Sequence, residues 1–290
     1  MRRLIFLLVS IIAFDVSAQE LKQVTIQNKF DGIREEISVL ASDHKTKQGE
    51  YKLYKYDKLS VEGNYSNDLK DGIWKEYDFR GKNVIKEYNY KNGLLHGTYK
   101  EYFDKGDIKK SGSYLDGLKE GHWEVYDYKK NIFETGDYLK DKEVGVWEFY
   151  NNGILSQKYS FDNDMFILNN DTAVQYNVIV YDLNRVPMDT LDIGPVYIGG
   201  LKHLLTFIGN EVNYPRIARD NGIEGTVYTE LTINVNGEIT DAKIIRGIGG
   251  GCDEESVRVL MLTSGRWHPA RDNEKAVESK TIVPIKYQMQ

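Results

Sequence analysis

The residues most able to do chemistry in this sequence lie together near position 250. A glycine-rich loop there is followed by a cysteine and three adjacent acids, in the run Gly249-Gly250-Gly251-Cys252-Asp253-Glu254-Glu255. Such a loop can hold a dinucleotide, a cysteine at a helix start can act as a nucleophile, and neighbouring carboxylates can exchange protons with a substrate. Each of these activities needs further residues at a defined spacing.

The glycine loop does not meet the spacing of a dinucleotide site. Gly247 and Gly249 match the first two glycines of Gly-x-Gly-x-x-Gly, but Cys252 occupies the third position. The strands before the loop are joined by Asn236-Gly237, which is a strong signal for an antiparallel hairpin. A dinucleotide fold needs parallel strands joined by a helix instead. We therefore expect no nucleotide here.

The cysteine and the acids have simple structural interpretations. Cys252 is the single cysteine of the chain, so an internal disulfide is excluded. No histidine lies near it in sequence to act as a base, and we expect a small, partly buried residue at a helix start. Acids in the first turn of a helix are favoured by the helix dipole. We expect Asp253 to cap this helix rather than to catalyse a reaction.

No motif elsewhere indicates an enzyme. Gly-x-Ser-x-Gly, His-Glu-x-x-His and Gly-Lys-Ser/Thr are absent from the sequence. His96 and His122 flank Gly97 and Gly121, but they lie on different sides of these glycines and no further ligands accompany them. The sequence predicts a protein that is not an enzyme and that has no metal and no cofactor.

The elements around the loop follow a small α/β pattern. A short helix is predicted after Tyr214-Pro215 and ends at Asn221-Gly222. Apolar residues then alternate as in a half-buried strand, a return strand and a helix follow, and a last strand spans Thr281–Tyr287. The predicted apolar positions are Val227, Leu231, Ile233 and Val235, then Ile239, Ala242, Ile244 and Ile245, and on the helix Val257, Leu260 and Met261. An upstream helix is predicted over Leu201–Gly209.

Residues 196–290 resemble the C-terminal domain of the TonB energy-transducer family. The resemblance is carried by Pro195–Gly200, Tyr214-Pro215, Gly222-Ile223-x-Gly225-x-Val227, Asn236–Ile239, Arg246–Glu255, Trp267-x-Pro269 and Pro284-Ile285. Two positions depart from the family pattern, because Arg266 stands in place of Pro and Ala270 in place of Gly. The resemblance implies a small antiparallel sheet with two helices on one face.

The family also implies a partner site. Its members receive an extended segment of another protein beside the last strand, where main-chain hydrogen bonds provide affinity. Pro284 fits an edge strand, since proline is not tolerated in a central one. The predicted contact residues are Lys280, Thr281, Ile282, Val283, Pro284, Ile285, Lys286 and Tyr287. Trp267 and Tyr287 could add aromatic surface, although core packing is the favoured role for Trp267.

Residues 49–161 contain an internal repeat. The unit Gly-x-aromatic-x-x-Tyr begins at steps of 23, 25, 24 and 24 residues, at Gly49, Gly72, Gly97, Gly121 and Gly145. A second aromatic series lies between these units, and polar turns ending in glycine separate them. The pattern predicts two short strands per unit, stacked as hairpins into an elongated sheet.

The repeat leaves one geometric question open. Trp74 and Tyr77 are three residues apart and would face opposite sides of a regular strand. Either both faces of the sheet carry aromatic residues, or a bulge after the glycine brings the two together. The pattern resembles the MORN-repeat variant of bacterial exported proteins, whose members mostly serve as scaffolds or interaction surfaces.

The remaining segments indicate export. Residues 1–18 have a basic start, a short apolar core and the small-residue end Val16-Ser17-Ala18, as in a signal peptide. Residues 19–48 are predicted either to add a strand or to stay loosely ordered, and residues 162–195 to form a connector with a strand at Val174–Leu183. The formal net charge of −6 makes a nucleic-acid partner unfavourable. The chain has only five prolines and therefore lacks the proline-rich spacer of a standard transducer.

The sequence therefore predicts a mainly β protein, with a tandem β-hairpin sheet followed by an α+β TonB-like domain. Two functions remain open. In the first, the protein contacts outer-membrane receptors by β-strand addition in energy-coupled transport. In the second, it is a periplasmic scaffold or cell-wall-binding protein that acts through its repeats. Both imply a Gram-negative type of envelope, with an inner-membrane anchor if residues 1–18 are not cleaved.

Overall fold

The structure is a computed structural model that describes residues 20–28, 31–170 and 194–289. The chain divides into two compact units, residues 1–106 and residues 107–290. Both are rich in β-strands, and the predicted fold class is confirmed: a long antiparallel sheet of repeated hairpins is followed by a C-terminal domain with small sheets and few helices.

The described residues of the first unit form seven strands that are hydrogen-bonded in chain order. They are β1 (Leu21–Asn28), β2 (Ile33–Leu40), β3 (Lys47–Lys55), β4 (Lys58–Ser66), β5 (Leu69–Tyr77), β6 (Val84–Lys91) and β7 (Leu94–Tyr102). Residues 19–48, for which two outcomes were open, thus add strands to the hairpin series. β1 and β2 pair over eight consecutive positions, from Leu21 with Leu40 to Asn28 with Ile33.

The second unit begins with six strands of the same kind, again in chain order. They are β8 (Ile108–Leu115), β9 (Leu118–Tyr126), β10 (Ile132–Leu139), β11 (Lys142–Asn151), β12 (Ile154–Ser160) and β13 (Met165–Asn169). Their register is interrupted repeatedly, for example between Thr135 and Asp137 and between Phe149 and Tyr150. Such bulges increase the local twist of a sheet.

Tight turns connect the strands because their residues accept a left-handed backbone. Asn67 and Asp68 have φ of 48° and 67°, and Lys140 and Asp141 have 52° and 67°. Two successive positive φ values match the right-handed twist of the flanking strands, so these turns favour hairpins.

Large rings lie directly over glycines of the neighbouring strand. A Cβ built at Gly63 would come within 2.2 Å of the Trp74 ring, and one at Gly136 would come within 2.2 Å of the Trp147 ring. Both tryptophans are buried. These two glycines, which lie on the strands between the Gly-x-aromatic units, thus provide the space in which the tryptophans pack.

Both faces of the sheet carry aromatic residues, which answers the question raised by the spacing of Trp74 and Tyr77. β5 is irregular against β4 at Gly72–Trp74, and the irregularity near Tyr77 skips one residue of β6, between Lys86 and Val84. From Trp74 to Tyr77, β5 itself keeps its alternation. Trp74 packs among tyrosines, while the hydroxyl of Tyr77 donates to Glu62 at 2.6 Å.

The C-terminal domain follows β13 in the second unit. Its helices are α1 (Gly200–Glu211), α2 (Arg216–Asp220) and α3 (Cys252–Met261). Its strands are β14 (Val196–Tyr197), β15 (Gly225–Ile233), β16 (Ile239–Arg246), β17 (Trp267–His268), β18 (Ala270–Asp272), β19 (Lys275–Val277) and β20 (Ser279–Tyr287). The main sheet has the order β16-β15-β20, and two-stranded pairs join β14 with β17 and β18 with β19.

One hydrophobic core fills the space between this sheet and the helices. Leu231, Ile233 and Leu260 are fully buried in it. Four predicted apolar positions do not belong to it, namely Val235, Ile245, Val257 and Met261. Ile245 on β16 is about half exposed, and Val257 on α3 is only partly buried. Val235 lies in the turn after β15 and is about half exposed, and Met261 ends α3 with its side chain towards solvent. The buried side of α3 is formed instead by Cys252, Ser256, Val259 and Leu260.

Some predictions fall outside the described residues. These are the signal peptide at 1–18 and the connector strand at Val174–Leu183. Within the described residues, no helix has both the length and the apolar character that crossing a bilayer requires.

Candidate functional site

The candidate site is β20, the strand predicted to contact a partner. β20 pairs with β15 over nine consecutive positions, from Ser279 opposite Ile233 to Tyr287 opposite Gly225. It lies at one end of the strand order β16-β15-β20. Among the described residues, therefore, no strand pairs with its second side.

Side chains on β20 alternate between the core and the outer face. Five residues point inwards and are buried, namely Ser279, Thr281, Val283, Ile285 and Tyr287. The intervening residues are half-buried or exposed, namely Lys280, Ile282, Pro284 and Lys286. The eight predicted contact residues thus divide into four that hold the strand in place and four that border the outer face.

Pro284 indicates which backbone groups face the open side. It lies opposite Tyr228 and has no N–H to donate to β15. Backbone groups alternate in direction along a strand, so positions 282 and 286 share the direction of position 284. The N–H groups of Ile282 and Lys286 are therefore directed away from β15, where a further strand would find them.

The two lysines on the outer face of β20 differ in their surroundings. The Lys280 Nζ lies 2.8 Å from Glu230 Oε1 on β15, so this lysine is already paired. Lys286 lies on the same face with an exposed side chain. An acidic side chain on an added strand would be attracted to this end of β20.

The core side of β20 is fixed by hydrogen bonds as well as by packing. The Tyr287 hydroxyl donates to the carbonyl oxygen of Cys252 at 3.1 Å and lies 3.1 Å from Ser256 Oγ. Burial raises the pKa of Tyr287 to about 12, so the hydroxyl remains a donor at neutral pH. Tyr287 and Trp267 are both buried, and neither offers the aromatic surface that was considered for them.

The glycine loop at 247–251 has a structural role that differs from the prediction. Asp253 does not cap α3, because Gly251 is the N-cap and forms no side-chain cap bond. Its carboxylate instead accepts the N–H of Ile248 at 2.8 Å and that of Gly249 at 3.3 Å. The Asp253 carboxylate therefore stabilises the loop through its backbone N–H groups. Cys252 is buried, and burial raises the pKa of its thiol, which opposes reactivity.

A polar interface inside the second unit was not predicted from the sequence. Arg266, which departs from the family pattern, pairs with Glu143 on β11. Gly199, which begins α1 without a side-chain cap, donates its N–H to Gln157 Oε1 at 2.8 Å, and Gln157 on β12 is fully buried. These contacts fasten the C-terminal domain to the last hairpins.

Two histidines belong to the same interface. His203 on α1 donates from Nε2 to the carbonyl of Phe133 at 3.0 Å and stacks on the Phe133 ring, with centroids 3.8 Å apart. His268 on β17 packs against Tyr159 and accepts a hydrogen bond at Nε2 from Arg271. Burial, followed by the charge of Arg271, lowers the pKa of His268. Neither histidine lies in a sequence motif that could have indicated its role.

The two histidines next to repeat glycines lie apart from this interface. His122 faces Asp137 at 3.0 Å through Nδ1 and Thr135 at 2.9 Å through Nε2, on an exposed face of the sheet. This arrangement resembles a hydrolase triad, but it lies on an open strand surface that does not exclude water. Within the described ranges, no three His, Cys, Asp or Glu side chains are grouped as metal ligands would be.

Comparison with known proteins places the candidate site within a family domain. Residues 210–289 match the family model described as the Gram-negative bacterial TonB protein C-terminal domain. This range contains α2, α3 and the whole β16-β15-β20 sheet. Among curated protein sequences, none matches the chain.

Some solved structures match part of this chain. Two solution structures of the TonB C-terminal domain of Helicobacter pylori are 25% identical and cover 30% of this chain, with 78% and 90% of their own lengths covered and TM-scores of 0.25 and 0.24. A crystal structure of TarM of S. aureus is 12% identical and covers 54% of this chain and 24% of that protein, with a TM-score of 0.19. On the strength of the family model, residues 210–289 of this chain form a TonB C-terminal domain.

Proposed function

We propose that this protein takes part in energy-coupled transport in a Gram-negative type of cell envelope, and that its C-terminal domain binds an extended segment of an outer-membrane receptor beside β20. The observation that carries the proposal is the open side of β20 in a domain of the TonB type. An added strand would continue the sheet on that side. In this proposal the protein is not an enzyme, it is exported to the periplasm, and the eight residues from Lys280 to Tyr287 form the contact strand.

The arrangement of β20 supports this role in two ways. Its core side is fixed by buried apolar residues and by the Tyr287 hydroxyl, so the open side is held in a defined position before a partner arrives. A preorganised edge reduces the ordering cost of binding. Its outer face combines apolar Ile282 and Pro284 with the exposed charge of Lys286, which would select among segments by the side chains they place there.

Photo-crosslinking in the full chain tests the proposal. A photoreactive residue at Lys286 should capture receptor segments from a solubilised outer-membrane fraction, whereas one at Lys243 on the opposite edge strand β16 should not. Captured segments can be identified by mass spectrometry. Equal capture at both positions, or capture at Lys243 alone, would show that β20 is not the contact strand.

A matched pair of variants tests the backbone contribution. Ile282→Pro removes an N–H that we place on the open side, whereas Ile282→Val keeps it. We expect Ile282→Pro to lose the crosslink at Lys286 and Ile282→Val to retain it, with thermal unfolding confirming that both variants are folded. Retained crosslinking in a folded Ile282→Pro variant would contradict strand addition.

A further inference from the structure

β1 (Leu21–Asn28) is an end strand of the hairpin series. In the part of the chain that the structure describes, no strand pairs with its second side. It pairs with β2 over eight consecutive positions without a register shift. Its side chains from Leu21 to Gln27 are exposed, except for that of Val24, which is half-buried. β1 therefore presents an uninterrupted row of main-chain donors and acceptors on its second side.

β1 lacks the features by which proteins usually prevent such an edge from pairing. Those features are a short strand, a proline, a bulge and several charged side chains. β1 has eight residues, no proline and no bulge against β2, and Lys22 is its single charged residue. β20, the open strand of the second unit, contains Pro284 and two lysines. The sequence of β1 is thus compatible with a partner strand along its whole length.

One hydrogen bond shows which backbone groups of β1 face the open side. Glu20 and Ala41 continue the register of β1 and β2, and the N–H of Ala41 donates to the carbonyl oxygen of Glu20 at 2.9 Å. Backbone groups alternate in direction along a strand, so the even-numbered residues of β1 are directed towards β2. The residues whose N–H and C=O groups are directed away from β2 are therefore Leu21, Gln23, Thr25 and Gln27.

One face of β1 continues an apolar row of the first unit. Val24 lies opposite Ile37 on β2, and Ile37 lies opposite Tyr51 on β3. Ile37 is buried, and the Tyr51 ring packs against Trp74 with centroids 5.4 Å apart. Residues directly opposite each other share a face of the sheet, so Val24 ends this row at the open edge. Ile26, on the same face, is 55% exposed.

A second copy of β1 matches the first when the two strands run antiparallel about a two-fold axis at Val24. Thr25 of each copy then forms a hydrogen-bonded pair with Gln23 of the other copy, and Leu21 forms one with Gln27. These four pairs provide about eight main-chain hydrogen bonds, and a typical interface has about 5–15. Val24 meets Val24 of the other copy, so the apolar row continues from one copy into the next.

The charges of the same face are compatible with this register. Lys22 faces Ile26 of the other copy, and Glu35 lies opposite that Ile26 on the other copy's β2. Lys22 is thus two strands, about 9.6 Å, from a carboxylate of opposite charge. The two Lys22 residues are four positions apart along the strands, about 13 Å, which exceeds the screening length of about 8 Å at physiological salt.

We propose that the protein forms a homodimer through β1, with the two strands antiparallel about a two-fold axis at Val24. A second copy is favoured over another occupant because the edge is complementary to itself in its hydrogen-bonding groups, its apolar row and its charges. The site is separate from β20 and does not depend on receptor contact. Each dimer would carry two copies of β20.

Sedimentation velocity of the full chain over a concentration series tests the proposal. The parent should convert from monomer to dimer as its concentration rises. Thr25→Pro removes an outward N–H from each copy and should raise the dissociation constant about tenfold or more, whereas Thr25→Val should dimerise like the parent. Proline is tolerated on an edge strand, so the thermal midpoints of both variants should stay close to that of the parent. Ile282→Pro on β20 should not affect the dimer.

A second pair of variants tests the register and does not alter the backbone. Ile26 is exposed, and the proposed register places it opposite Lys22 of the other copy. Ile26→Glu should therefore dimerise about tenfold more tightly than Ile26→Lys at low salt, and added salt should reduce the difference. The neighbouring Glu35 acts on either variant in the monomer as well as in the dimer, so its effect largely cancels from the dissociation constant.

Several results would overturn the proposal. A parent that stays monomeric at every concentration would do so, and slow exchange of the Gln23 and Thr25 amides in that monomer would show that the chain itself covers the edge. Dimers that persist in a folded Thr25→Pro variant, or that are lost in Ile282→Pro, would show that another surface is used. If Thr25→Pro does not fold, the Ile26 pair decides, and equal dissociation constants for its two variants would exclude the two-fold pairing at Val24.

Discussion

The hairpin strands and the C-terminal domain bury their side chains in different ways. In the hairpins, Trp74 is covered by rings from neighbouring strands and by the ammonium group of Lys70, whose Nζ lies 4.3 Å from the centre of the ring. In the C-terminal domain, residues from five strands and all three helices meet in one core. The first arrangement is local and repeats along the chain. The second is closed, so each of its parts depends on the others.

This difference bears on function. A sheet assembled from local contacts can be extended by adding hairpins, and each hairpin can present a turn residue without disturbing a shared core. A domain with a closed core can hold one strand edge in a fixed position. The open side of β20 therefore belongs to the domain whose shared core can hold it in place.

The largest expected effect on stability comes from removing a tryptophan that packs on a glycine of the neighbouring strand. Trp74→Ala removes a buried ring and its hydrogen bond from Nε1 to the carbonyl of Asn64. We expect it to cost about 3–5 kcal/mol of local stability. Hydrogen exchange should show lost protection in β4, β5 and β6, with little change in β15 and β20. Loss of protection throughout the chain would mean that the hairpins are not locally stabilised.

Truncating a core side chain in the C-terminal domain should reduce protection from hydrogen exchange over a wider set of elements. Leu231 is fully buried at the centre of β15, and Leu231→Ala should cost about 2–5 kcal/mol. Because the core is shared, protection should fall together in β15, β16, β20 and α3, while β3–β5 stay protected. Protection lost only next to position 231 would contradict the closed core. Leu231→Ile, which nearly conserves volume, serves as the control.

Substituting the glycines of the hairpin strands tests the local packing more sharply. In Gly136→Ala the new Cβ would clash with the Trp147 ring, and we expect a loss of about 1–3 kcal/mol from overpacking. In Gly121→Ala the added carbon meets only Ser113 Oγ at 3.6 Å, but the φ of 68° is strained, which should cost about 1 kcal/mol. Chemical denaturation can compare the two. A larger loss for Gly121→Ala would refute the close ring-to-glycine packing.

The smallest effect concerns the pH dependence of the interface inside the second unit. The lowered pKa of His268 means that the folded protein disfavours its protonation. Its contribution to stability is present above the unfolded pKa of about 6.5 and is lost as the pH falls from there towards the folded value. The stability advantage of the parent over His268→Gln should therefore shrink between pH 7.5 and pH 5.5 (about two units around that pKa).

The comparison with the variant is needed because other groups titrate in the opposite sense. Burial raises the pKa of Glu134 and of Glu143, and Arg266 opposes this in both. A raised pKa in the folded state means that these two carboxyl groups add to the stability of the fold as the pH falls. The difference between the parent and His268→Gln cancels their contribution. An advantage that stays constant with pH would show that His268 does not titrate in this interface.

Local patterns predicted much of the fold. The alternation at Val227, Leu231 and Ile233 predicts β15, and Asn236-Gly237 predicts the hairpin, because these features depend on a few neighbouring residues. The glycine-aromatic period predicts the hairpins for the same reason. The edge position of β20 followed from Pro284, since proline cannot donate to a second neighbour.

Contacts between distant residues could not be predicted in this way. Arg266 and Glu143 are 123 residues apart, and His203 and Phe133 are 70 apart, so no local period encodes their pairing. The role of Asp253 was wrong because its carboxylate has two possible sets of backbone donors, and only the folded loop shows which set lies within reach.

Amide hydrogen exchange of the free full-length protein tests the central claim, that the second side of β20 is open. We predict fast exchange at Ile282 and Lys286, whose N–H groups face the open side, and slow exchange at Thr281, Val283 and Ile285, which face β15. Slow exchange at all five amides would show that the open side is already occupied, and the proposed receptor contact would then have no place to form.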